Sequence, residues 1–250
     1  MRYLLFFFLL TSVSCAQESK TKLVSESSEL VFKADSLNRE SCVGESCAKL
    51  RLVWPVASGS AVADKVNAAI SEQLVLMVGV GEEVAPLDTL IEDYFESFQS
   101  FKKEFPDSPG AWEIEAEGEV VYRSDSTLSV YFSQFSFLGG AHPNSFVSFL
   151  HFDPKSGDTL SDDSLVLDEI ALTSLAEKKF REYHEVAEGV SLEEDGRFFL
   201  PETGFFLANA KGFKDGKFWI IYVPYEIGPY VMGYTELEFT KEEVGDLVRW

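Results

Sequence analysis

Leu87-Asp-Thr-Leu-Ile-Glu-Asp-Tyr-Phe-Glu-Ser-Phe-Gln-Ser-Phe-Lys-Lys-Glu-Phe105 is followed closely by Trp112-Glu-Ile-Glu-Ala-Glu-Gly-Glu-Val-Val-Tyr122. The change of period between the two stretches decides the fold class. In the first, Leu87, Ile91, Tyr94, Phe98, Phe101 and Phe105 recur at four- and three-residue steps, the spacing of one helix face, with Pro86 suited to the first turn and Pro106 to the end. In the second, Ile114, Ala116, Gly118 and Val120 alternate with Glu113, Glu115, Glu117 and Glu119. That is a strand with one buried face and one that must be solvated or meet cations. The aromatic stripe of the helix reads as core rather than as a ligand groove.

Outward from this pair, Val62, Val66, Ala69, Ile70, Leu74 and Met77 mark a helix from Ala61 to about Val78, ended by Gly79. Before it, strand signals at Glu29 to Leu37 and Ala48 to Val56 flank a loop holding Cys42 and Cys47. After it come strands at Leu128 to Phe137 and Ser145 to Phe152. A helix from Asp168 to Ala187 carries Ile170, Leu172, Leu175, Ala176, Phe180 and Tyr183. Strands at Gly204 to Ala208, Lys217 to Val223 and Tyr234 to Phe239 then precede a short helix near Lys241 to Val248. Strands and helices come in blocks rather than in strict alternation. The expectation is therefore an α+β fold, a mostly antiparallel sheet packed with three to four helices, in one compact unit of two sequential segments.

The chain has 250 residues, with 42 Asp+Glu against 21 Lys+Arg and a net charge of −21, so a general binder of nucleic acid or anionic membrane is excluded. Twenty-two Phe and 46% hydrophobic residues exclude a disordered acidic chain. Met1-Arg2 followed by the apolar run Tyr3 to Leu10 reads as a signal peptide over residues 1–14, too short to span a bilayer permanently. Thr11-Ser-Val-Ser-Cys15 resembles a bacterial lipobox, with Cys15 as the residue cleaved at and lipidated; Ser12 stands where Leu is commonest. An ordinary secretory signal is the other reading. The polar stretch 15–28 is a tether, and the expected location is the bacterial cell envelope, periplasmic or surface-exposed, with the lipid as the membrane contact.

In an oxidising compartment Cys42 and Cys47, five apart across a glycine, read as a disulfide. Half a zinc site is the competing reading, but His142, His151 and His184 are dispersed and supply no second pair, so neither metal nor cofactor is expected. Leu138-Gly-Gly-Ala-His-Pro-Asn144 joins two strands through a turn that needs special backbone geometry and puts His142 and Asn144 on an exposed loop. His142 is the most reactive-looking loop residue, against the plainer role of a hydrogen bond to its own turn. Glu226 lies in Tyr225-Glu-Ile-Gly-Pro-Tyr230, stiffened by Pro224 and Pro229. It can fix a loop by accepting backbone hydrogen bonds, or receive a basic partner residue or a sugar hydroxyl. No Gly-x-Ser-x-Gly elbow is present, and among so many carboxylates no acid/base pair stands out.

Gly139-Gly-Ala-His-Pro-Asn144, an Asp-Pro-x-x-Gly turn at Asp153, Gly204-Phe-Phe-Leu207 and the block Phe218 to Gly233 together resemble the extracytoplasmic domain of the RsiV-like family. Tyr225-Glu-Ile-x-Pro-Tyr230 is its most specific part. Leu52-Val-Trp-Pro55 is similar to the opening of the companion segment that precedes this domain there and in peptidoglycan deacetylases of the PdaC type. The resemblance divides the chain into a PdaC/RsiV-like N-terminal segment, 29–127, and an RsiV-like C-terminal segment, 128–250. It implies an external domain of a family whose sensor members bind lysozyme. The chain departs from those sensors in having no sigma-binding region or internal membrane helix, and from the deacetylases in having no Asp with paired histidines for their metal.

The resulting expectation is a non-catalytic, lipid-anchored envelope binding module with His142, Asn144, Tyr225, Glu226 and Tyr230 as binding residues. Lysozyme or another basic protein is the expected partner, with cell-wall glycan as a further one and nucleic acid excluded. The alternative is a hydrolase or accessory domain acting on envelope glycan or peptidoglycan. It requires a concave pocket at the same loops and a carboxylate of raised pKa.

Overall fold

A computed structural model describes residues 29–79, 85–108 and 110–250. The leader 1–14, the tether 15–28 and Cys15 lie outside the described residues. Strands β1 (Val31–Val43) and β2 (Ser46–Ser58) form an antiparallel hairpin in which Cys42 faces Cys47 and is bonded to it. Both strands run farther than the sequence suggested. The cysteines are register partners, so the bridge sits inside the ladder and the turn shrinks to Gly44-Glu45.

From β2 the chain crosses through α1 (Ala63–Val78) and α2 (Leu87–Glu104) to β3 (Trp112–Arg123), which pairs with β2 in parallel, the arrangement that requires a crossover. Strands β4 (Leu128–Phe137) and β5 (Asn144–Phe152) then continue antiparallel, completing the sheet β1-β2-β3-β4-β5. Alternation sends Leu50, Leu52, Ile114, Ala116 and Phe132 toward Val66, Ile70, Ile91 and Phe98 of the two helices, and these form one core. On α2 the buried stripe is Leu90, Ile91, Tyr94, Phe95 and Phe98. Phe105, expected at its end, is half exposed because the helix stops at Glu104 and Phe105 takes non-helical angles.

The second region contains α3 (Asp162–Leu165), α4 (Glu169–Tyr183) and α5 (Leu192–Asp195), then the antiparallel sheet of β6 (Ala210–Lys214), β7 (Lys217–Tyr222) and β8 (Thr235–Phe239), closed by α6 (Lys241–Val244). Helix α4 starts at its Asp168 cap, whose carboxylate accepts from the Ala171 amide. It ends four residues earlier than expected, at Tyr183, because Glu185 adopts φ +53°. Ile170, expected in its core stripe, is 83% exposed in the first turn. Residues 204–208, expected as a strand, pair with no strand among the described residues; Gly204 has φ +87°, and the Phe206 carbonyl accepts the Tyr222 hydroxyl instead.

The unbroken apolar run Phe218 to Tyr222 has a direct cause: β7 is buried on both faces. Phe218, Ile220 and Tyr222 join Leu172, Ala176 and Phe180 of α4 in a second core. Trp219 and Ile221 point the other way and meet Val147, Tyr131 and Phe149 on the face of the first sheet that α1 and α2 leave uncovered. At this junction His151 is buried, with Nδ1 2.8 Å from Ser129 Oγ and Nε2 2.9 Å from the Lys211 carbonyl. Gly212 is what lets the two sheets meet, since a Cβ there would lie 2.4 Å from the His151 ring. Arg249 to Asp153 (2.7 Å) and Trp250 against Phe213 and Tyr122 tie the last residues across both regions. The result is the expected α+β class, with a mixed five-stranded sheet, a three-stranded sheet and, among the described residues, three α-helices of 15 to 18 residues, three single α-helical turns and two 3₁₀ turns.

Candidate functional site: an exposed aromatic loop cluster

The β4–β5 loop and the loop after β7 meet at the surface. Gly139 starts the first with φ +79° and lies so close over the Trp112 indole that a Cβ would stand 3.2 Å from its Nε1. His142 Nδ1 is 3.0 Å from the Pro143 carbonyl. A carbonyl can only accept, so in the neutral ring Nδ1 carries the proton and Nε2 is left as acceptor. The Tyr225 hydroxyl fills that role, donating to Nε2 at 3.2 Å from a residue 83 positions away in sequence. Tyr230, in a single 3₁₀ turn, stacks its ring on His142 with centroids 4.1 Å apart and planes 24° apart. Tyr225 completes the triad at 5.6 Å from Tyr230.

Tyr225 is 55% exposed and its backbone is left-handed, φ +74°, a region that costs a non-glycine residue about 1 kcal/mol or more. What holds it there is Glu226. One carboxylate oxygen accepts from the Asn209 backbone N–H (2.8 Å) and side-chain amide (3.1 Å), and the other from the Val223 N–H (3.0 Å). Glu226 therefore fastens the loop from behind, while His142 and Tyr225 are exposed and Tyr230 is half-buried against the His142 ring. Asn144 is the first residue of β5, exposed and opposite Ser136, rather than part of the loop. Val231, beside Tyr230, is 91% exposed and extends the apolar surface.

Beyond the cluster, the outer face of β3 presents its glutamates beside β2, where Lys49 pairs in register with Glu113, and Arg51 with Glu115 while reaching Glu117 at 3.8 Å. Carboxylates displaced from their ordinary pKa among the described residues are displaced downward: Glu92 by Arg39, Asp153 by the Lys155 N–H and Arg249, Glu243 by the Thr240 N–H and Lys179. Such shifts mark ion pairs and helix caps. His151 with Ser129 has the outline of a nucleophile and base, but both are buried where no substrate reaches, and burial pushes the imidazole down to about 4. The candidate metal group among the described residues, Glu40 with Cys42 and Cys47, has both sulfurs committed to the disulfide.

Two family profiles match the chain in succession: "Deacetylase PdaC" over residues 42–145 and "Protein of unknown function (DUF3298)" over residues 161–242. The chain joins a PdaC-like domain to a DUF3298 domain. The PdaC-like match covers β3, β4 and the His142 loop; the DUF3298 match covers α4 and the Tyr225–Tyr230 loop, so the aromatic cluster unites the two. A crystal structure of a DUF3298-family protein from Bacteroides fragilis superposes with a TM-score of 0.64 at 18% identity, over 90% of this chain and 95% of that one. One from Pseudomonas aeruginosa gives 0.58 at 17%, over 89% and 94%. At these identities the likeness bears on the fold alone. No curated protein sequence matches the chain.

The sequence points to His142, Tyr225 and Tyr230 as binding residues on two loops, and in the fold these three side chains touch. Lys211 and Asn209 carry no such signal. Lys211 lies on β6, five residues with no alternation to betray them, and Asn209 matters only through its contact with Glu226.

Proposed function

We propose that this chain is a non-catalytic binding module of the bacterial cell envelope, anchored through a lipid on Cys15, that docks a basic envelope protein, with lysozyme the first to test. The observation that carries this reading is the surface triad of exposed His142 and Tyr225 with half-buried Tyr230, drawn from loops 83 residues apart and held at a backbone cost at Tyr225. Strain kept at an exposed aromatic residue points to use rather than to stability, and aromatic side chains are the usual anchors of protein interfaces. The net charge of −21 and the outward glutamates of β3 supply the sign of the partner and speed its approach. The lowered carboxylates speak for structural acids, not for a general acid.

The flat ring pair of His142 and Tyr230 also suits the apolar face of a sugar, which makes cell-wall glycan the second reading. Calorimetry of the protein with C-type lysozyme at low and moderate salt, with inhibition of lysozyme activity in parallel, separates the cases. Saturable binding that survives moderate salt and is lost in the His142→Ala/Tyr230→Ala double variant supports the reading. Binding that vanishes with salt and ignores that variant is mere charge attraction, and overturns it.

A further inference from the structure

We propose that the cavity between α3, α4 and the 203–209 loop is a second binding site, for a small zwitterion bearing both a carboxylate and an ammonium group, the chemistry of a free amino acid or short peptide. The cavity measures about 410 Å³, within the range of small-molecule sites. Lys211 lines it and is only 7% exposed. An ammonium has three N–H donors, and burying it is costly unless they are met. Among the described residues it finds Asp162 Oδ2 at 2.6 Å and the Ala208 carbonyl at 3.3 Å. One donor is thus left for an acceptor in the cavity, and a ligand carboxylate fits it.

A plain anion does not suit the rest of the lining. Asp162, Asp163 and Glu169 set three carboxylates against one ammonium, and all three are exposed to the opening. Asp162 is itself a weak neutraliser of a buried cation, since its side chain is 73% exposed. A ligand ammonium would find partners at Asp163 and Glu169 while its carboxylate reaches Lys211. Phe205, Phe206 and Leu207 give an apolar wall for a side chain between the two charges. The site is separate from the aromatic cluster; Asn209, which lines the cavity and also binds Glu226, is the point where they touch.

The test is calorimetry of the full-length protein with L-phenylalanine, L-leucine and L-alanyl-L-alanine, each beside its N-acetyl and C-terminal amide forms, up to about 10 mM. The expected result is one-site binding of at least one zwitterion, weakened about ten-fold or more by either block and by Glu169→Gln, an exposed change that leaves the fold intact by circular dichroism. Lys211→Met should abolish it, and His142→Ala/Tyr230→Ala should leave it unchanged. Absence of binding by all three probes, equal binding of a blocked form, or indifference to Glu169→Gln overturns the proposal.

Discussion

The two regions of this molecule solve the same problem in different ways. The first, β1 to β5 with α1 and α2, is built of long elements in regular period, and its helices bury one face of a five-stranded sheet. The second spends much of its length on turns and loops around a three-stranded sheet, and the described non-glycine residues of positive φ, Glu185, Asp215 and Tyr225, all belong to it. Its loops are held by individual polar bonds, Glu226 to Asn209 and Val223 above all, instead of by a ladder. The regular region acts as a scaffold, and the irregular one aims side chains that periodicity alone could not aim.

A scaffold and a region that depends on it should unfold together. Phe98 and Phe180 are fully buried, one in each core, and replacing either by Ala should cost about 4 kcal/mol. Because His151, Gly212 and the Arg249–Asp153 pair join the regions, both variants should lower the midpoint of one shared urea transition followed by circular dichroism and tryptophan fluorescence. Two transitions, each sensitive to one variant, would make them independent units.

The junction can be probed next through pH. Burial lowers the His151 pKa from 6.5 to about 4, against the Lys211 carbonyl and Asp162, which raise it, and with the Lys211 charge opposing Asp162. The unfolded chain takes up a proton below about 6.5 that the folded chain refuses, so this contribution to stability is complete above that pH and shrinks as pH falls toward 4. The loss is about 3 kcal/mol. Urea melts at pH 7 and pH 4.5 should converge for His151→Gln relative to wild type; an unchanged pH dependence would place the acid sensitivity elsewhere.

Within the scaffold, the Cys42→Ser/Cys47→Ser pair should lower stability by about 2 kcal/mol, the chain-entropy value for so short a loop. Hydrogen exchange should rise at the tip of the β1–β2 hairpin and nowhere in the second region. The smallest effect belongs to the cluster: His142→Ala and Tyr230→Ala should each change stability by less than about 0.5 kcal/mol, read by thermal melts, while removing partner binding. A large destabilisation there would recast the triad as structural.

The scaffold was largely legible in the sequence because period 3.6 and period 2 are written plainly in residues 63–137, and burial enforces them. Where burial did not decide, the reading slipped. Ile170 has apolar character but sits at the exposed start of α4, and Gly204 to Leu207 have strand composition but no strand beside them. The cluster was half legible: glycines, prolines and aromatics flagged both loops, but their convergence depends on how the second sheet lies across β4 and β5, which no local pattern encodes. Glu226 could be seen as a loop fastener or a contact residue, and its three accepted hydrogen bonds favour the first.

Strand β1 stands at the outer border of its sheet, thirteen residues long and mostly exposed. A border of that length is a template on which any stray extended chain, including another copy of this one, could lay itself down and seed aggregation. Lys33, Asp35 and Glu40 line this strand with mixed charges, so a newcomer would have to strip water from each of them and match their order, while Arg39 is held by Glu92 of α2. Replacing Lys33, Asp35 and Glu40 with threonine would keep the strand but remove its guard, leaving the protein prone to fibre growth at the concentrations reached during overproduction.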